Sequence, residues 1–135
     1  MSYKINEIEG IGPSYAEKLA AAEIISTDHL LDKCGSAGGR KSIASATGVN
    51  EGQLLKWANM ADLMRISGIG PEYAELLEAA GVDTVKELKH RNAENLATKM
   101  EEVNAVKNLS NASPAASVIQ GWIDAAKGMD PKISH

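Results

Sequence analysis

The chain has no phenylalanine, one cysteine and an aromatic share of only 4%. Cys34 therefore closes no internal disulfide and belongs to no metal-ligand cluster, and a reducing cytoplasm is the expected compartment. No run of about 18 apolar residues is present, so no membrane span is expected. The opening segment Met1 to Glu7 lacks the apolar core of a secretion signal. Positive charge is also scarce: 14 Lys and Arg face 18 Asp and Glu, a net charge of −4. Residues 1–67 hold 7 basic and 8 acidic groups, and residues 68–135 hold 7 and 10. A nucleic-acid binder draws much of its free energy from cations neutralising phosphates, so this balance is a handicap for that function. His29, His90 and His135 lie far apart with no partner at ligand spacing. No paired carboxylates and no Ser/His/Asp arrangement stand out. Neither a cofactor nor an enzymatic activity is expected.

What the chain has is small apolar residues and a repeat. Its 44% hydrophobic content is mostly Ala, Leu, Ile and Val, which suits helices in close contact. Glu9-Gly10-Ile11-Gly12-Pro13-Ser14-Tyr15-Ala16-Glu17 returns as Ser67-Gly68-Ile69-Gly70-Pro71-Glu72-Tyr73-Ala74-Glu75, 58 residues later. In each copy an apolar segment runs into Gly-Ile-Gly, and proline follows at a helix's first position, where its missing N–H is no loss. Glycine admits positive φ and removes the Cβ that would block close approach. The corner can thus turn its N–H groups outward beside the positive end of a helix, where an anion is favoured.

The rest of the sequence repeats more loosely. Ser2 caps a short first helix carrying Ile5 and Ile8; Pro13 to Ala22 forms a second; Ser26 or Thr27 opens a third through Leu30 and Leu31. The stretch from Cys34 to Gly39 reads as the most flexible loop of the first half. Asn50 caps a long helix in which Leu54, Trp57, Ala58, Ala61 and Met64 recur at helical spacing, expected to be the spine between the halves. Pro71 to Ala80 is a helix ended by Gly81 in a left-handed cap, and Asp83-Thr84 begins another. Asn92 caps a helix through Val106, and Ser113-Pro114 opens the last, Ala115 to Lys127, with Val118, Ile119 and Trp122 on its apolar side. Trp57 and Trp122 fall near the same place in the two units. The expected organisation is 1–65, 66–127 and a tail, 128–135. Halves of this size bury only about 60% of their surface alone and so pack together.

The spacing Ile8-x-Gly10-Ile11-Gly12…Ala16…Leu19 and Ile66-x-Gly68-Ile69-Gly70…Ala74…Leu77 resembles the helix-hairpin-helix motif, whose turn holds a nucleic-acid phosphate without reading bases. More widely, residues 5–127 resemble a bacterial family of tandem helix-hairpin-helix proteins known as a domain of unknown function. The likeness rests on the two glycine corners, Leu54-Leu55-Lys56-Trp57, Ala61-Asp62-Leu63, Ala80-Gly81-Val82-Asp83-Thr84-Val85, Arg91-Asn92, Asn95-Leu96 and Trp122-Ile123. It implies an all-α, SAM-like fold of two hairpin units in about nine or ten short helices, and brings no activity with it.

The candidate nucleic-acid contacts are the amides of Gly10, Ile11 and Gly12 with Lys18 beside them, the amides of Gly68, Ile69 and Gly70, and the cationic pair Arg40 and Lys41. Glu72, Glu75 and Glu78 line the second corner's helix and would repel phosphate. The bland reading is that both corners only set close helix crossings. Gly35 to Ser42 imitates a nucleotide-binding phosphate loop, but Arg40 stands where glycine is required before the lysine, and a helix precedes it. Residues 42 to 59 imitate a DNA-reading helix-turn-helix with Asn50, Gln53 and Lys56 outward; Glu51 and Gly52 weaken it. The expected function is non-enzymatic, sequence-nonspecific nucleic-acid binding, DNA in preference to RNA. The alternative is a protein-interaction scaffold that keeps the hairpins.

Overall fold

The computed structural model describes residues 2–135, so Met1, at the start of the expected first unit, lies outside it. A single 3-10 turn, Ile5–Glu7, precedes eight α-helices: α1 Pro13–Ala21, α2 Thr27–Cys34, α3 Ala37–Thr47, α4 Glu51–Leu63, α5 Pro71–Ala79, α6 Val85–Leu88, α7 Ala93–Lys107 and α8 Ala116–Lys127. The described residues contain no strand, only an isolated bridge between Lys4 and Ser26. The count is below the nine or ten expected because the first segment closes just one turn.

Five helices begin on a side-chain cap: Ser26, Ser36, Asn50, Thr84 and Asn92 each accept from an amide two or three residues on. Such a cap satisfies one of the N–H groups that a helix start leaves unpaired, for about 1 kcal/mol. Left-handed residues stop α3 at Gly48 and α7 at Asn108. Contrary to expectation, Cys34 to Gly39 is no flexible loop. Gly35 closes α2, Ser36 caps α3, and Gly38 and Gly39 already lie inside α3. Two of these glycines permit close packing: a Cβ on Gly39 would strike the Lys33 carbonyl, and one on Gly35 would strike those of Leu31 and Lys132.

Part of the packing of the first four helices recurs in the last four, but α2 also packs closely on α3, whereas α6 makes no comparable contact with α7. α1 lies on α3, α2 on α4 and α3 on α4; likewise α5 lies on α7, α6 on α8 and α7 on α8. α4 joins the two sets by packing on α2, α3 and α5, and every residue from Trp57 to Leu63 is buried. Burial of every face over this half of α4, Asn59 and Asp62 included, fits the expected spine. One continuous cluster runs from Ile5 through Trp57, Met64, Leu77 and Met100 to Trp122.

A charged tie secures the second set. Asp62 of α4, 1% exposed, accepts from Arg65 at 2.6 Å and from the Val85 amide at 2.8 Å. It thereby anchors the first amide of α6, a helix of four residues that could not stand on its own propensity. Residues 128–135 also do more than trail: Met129 and Ile133 pack on the core, Arg65 reaches the Asp130 carbonyl at 3.0 Å, and the Ser134 amide donates to Gly35 at 2.8 Å.

Candidate functional site

The two glycine corners share one backbone. Gly10 and Gly68 have φ of +94° and +97°, a region where an L side chain is strained, and Gly12 and Gly70 are extended N-caps with proline next. Neither N-cap has a side chain to offer, so α1 and α5 start uncapped, unlike the five helices above. The amides of Gly10, Gly12, Ser14 and Tyr15 meet no acceptor among the described residues, and neither do those of Gly68, Gly70, Glu72 and Tyr73. Glycine 10 and residues 12 to 15 are exposed. Ile11 and Ile69 do not act as expected: their amides donate to Ile8 and Ile66 at 3.1 Å, and their side chains are buried. They peg the corner to the core and leave donation to the residues on either side.

Each corner also rests on an aromatic pair. Tyr15 meets Trp57 at 5.0 Å, near edge-to-face, and Tyr73 meets Trp122 at 5.3 Å. The indole nitrogens lie under the first glycines, Trp57 Nε1 at 3.5 Å from where a Cβ on Gly10 would stand and Trp122 Nε1 at 3.2 Å for Gly68. The matching positions of the two tryptophans were visible in the sequence; that both nitrogens reach the corners was not.

The surroundings differ. Lys18 is exposed and stands 5.8 Å from the Tyr15 ring centroid, so the first corner has a cation close by. The second has Glu72 at the head of its helix and a hollow of about 460 Å³ lined by Gly70, Pro71, Glu72, Tyr73 and residues 110–112. Burial, with the Glu9 carboxylate next, raises Glu75 from its ordinary value, so this side chain of α5 lies within electrostatic reach of the residue that precedes Gly10.

The cationic pair separates. Lys41 is exposed, but Arg40 is only 5% exposed and its guanidinium is taken up inside. It donates to the Cys34 carbonyl at 3.0 Å, to that of Gly35 at 2.9 Å and to that of Ser134 at 2.6 Å. The first two carbonyls close the end of α2, where a cation is favoured, and the third belongs to the C-terminal segment, so Arg40 is a buried cap and not a surface contact. Cys34 beside it is fully buried, and burial pushes its thiol up to about 11 against the opposing pull of Arg40 and Lys33. It is a neutral, enclosed thiol at physiological pH. Asn50 uses its side-chain oxygen to cap α4, which takes it from the helix-turn-helix reading. Among the described residues no three His, Cys, Asp or Glu side chains could hold a metal, and no helix is long and apolar enough to cross a membrane.

No curated protein and no solved structure matches the chain. A family model does, over residues 9–129, which takes in both corners, both aromatic pairs and all eight helices. The chain belongs to the family described as domain of unknown function (DUF4332).

Proposed function

We propose that the chain is a non-enzymatic binding module of two tandem helix-hairpin-helix units, residues 1–65 and 66–127, whose first corner holds a DNA backbone phosphate. One observation carries this: α1 begins without a cap, and its exposed amides at Gly12, Ser14 and Tyr15 face no acceptor. Five of the eight α-helices recruit a side chain at their start, and α8 like the two corner helices does not; at α1 the open donors stand beside a helix dipole and Lys18. Backbone amides grip phosphate without regard to sequence, so binding is expected to be nonspecific and to weaken steeply with salt. Small size and low basicity imply modest affinity.

Anisotropy titrations with a labelled DNA duplex at low and moderate salt test the proposal, with Gly12→Val and Lys18→Glu as probes. A Cβ on Gly12 meets nothing within 4 Å and its φ is negative, so the valine leaves the fold intact while crowding the donors. Binding that fails to appear at low salt, or that both variants leave untouched, overturns the proposal.

A second reading has its own observation: Glu72, Glu75 and Glu78 and the hollow beside Gly70 make the second corner better suited to a protein than to a phosphate. A protein partner recovered after nuclease treatment, and lost on mutation of that face, would place the function there.

A further inference from the structure

We infer that the indole N–H of Trp57 is a side-chain donor to the oxyanion held at the first corner. The inference rests on the reading of that corner as a phosphate site, and it begins from an anomaly. Trp57 is fully buried and its Nε1 has no hydrogen-bond partner, although a buried donor left unpaired costs about 1 to 3 kcal/mol. Native structures rarely tolerate such a group without a use for it.

The position of this nitrogen supplies the use. Beyond Gly10 and its two chain neighbours, it is the one described heavy atom within 4 Å of the point a Cβ on Gly10 would occupy, so the gap left by that missing side chain ends on a donor. An oxyanion gripped by the neighbouring amides has an oxygen directed at this gap. The Tyr15 ring, 39% exposed and 5.0 Å from the indole, is the cover that shifts to admit it. Side-chain rearrangement of this kind is common on binding. The chain has two tryptophans, and each sets its nitrogen under the first glycine of a corner. Packing alone would ask for a ring there, not for a nitrogen at that edge. In the first corner the indole therefore completes a ring of donors that the backbone only partly forms.

The test follows the indole N–H resonance of Trp57 by NMR in the intact chain, titrated separately with inorganic phosphate and with a short DNA duplex. Both ligands are expected to move it downfield and saturably, together with the Gly12, Ser14 and Tyr15 amides. The variant Trp57→Phe keeps the ring and removes the donor; it is expected to weaken duplex binding about tenfold, the effect of losing one hydrogen bond to a charged group. Corner amides that move while the indole stays still overturn the inference and leave the phosphate site standing. An indole that answers phosphate but not the duplex upholds the donor and removes DNA as its source. If neither resonance set moves with either ligand, both the inference and the phosphate site fall. The wild-type titration decides the matter even where Trp57→Phe does not fold.

Discussion

The two corners have the same backbone and opposite surroundings. Their first glycines differ by 3° in φ (+94° and +97°), both proceed through an extended glycine into proline, and both sit on a Tyr–Trp pair. The helices that follow diverge. Across the 58-residue offset, Ser14 becomes Glu72, Lys18 becomes Leu76 and Ala20 becomes Glu78. The cause is topological. α5 is held between α4 and α7 and buries Ala74, Leu76 and Leu77, whereas α1 lies on α3 and the opening turn and buries Leu19 alone. A position open to a cation in α1 is therefore a core position in α5. The lesson is that a few residues specify the corner, while its place in the packing decides whether anything outside can use it.

The largest effects should come from removing what lies beneath the corners. Trp57→Ala and Trp122→Ala are each expected to lose about 3–5 kcal/mol in urea unfolding, because the cavity cannot collapse fully. Comparable losses would show that the two corners depend equally on their indoles. Next comes the asymmetric tie: Asp62→Ala should cost about 3 kcal/mol by leaving Arg65 and the Val85 amide without their buried acceptor. Lys4, at the equivalent place before the first corner, is exposed, and Lys4→Ala should change little.

Smaller changes separate geometry from charge. Gly10→Ala and Gly68→Ala should each lose about 1–2 kcal/mol because of positive φ, with Gly12→Ala near neutral. In binding, Lys18→Glu should flatten the salt dependence by close to one phosphate contact, a slope change of about 0.9. Glu72→Ser with Glu78→Ala should raise affinity if charge alone silences the second corner.

The smallest effect is a pH dependence. A carboxyl with a raised folded pKa binds protons more readily folded than unfolded, so stability falls as pH rises from the ordinary carboxylate value through the raised folded value of Glu75, and the full penalty remains above it. Glu75→Gln should raise the melting temperature at pH 7, and that advantage should shrink as pH falls toward the ordinary carboxylate range. An advantage independent of pH would mean that burial and Glu9 do not govern this group.

Much of the fold was legible because it is written in local chemistry. The repeated Gly-Ile-Gly-Pro fixed both corners, Asn50 and Asn92 marked the starts of α4 and α7, and helical spacing from Leu54 to Met64 identified the buried spine. What escaped depends on distant partners. Nothing near Arg40 in sequence reveals that it closes over the end of α2 and the carbonyl of Ser134, 94 residues away. The glycines from 35 to 39 looked like a loop because their role, admitting carbonyls of Lys33 and Lys132, exists only in three dimensions. Nothing in the sequence separates Ile11 and Ile69 from the donors beside them; their amides are bound back to Ile8 and Ile66, a pairing that the corner itself creates.

The central claim concerns where an oxyanion goes. The most direct measurement is a backbone amide NMR map of the intact chain with a short DNA duplex at low salt. The account predicts that Gly10, Gly12, Ser14 and Tyr15 shift together, ahead of Gly68, Gly70, Glu72 and Tyr73, and return as salt is added. Shifts gathered at the second corner or on another face, with the first set unmoved, would contradict it.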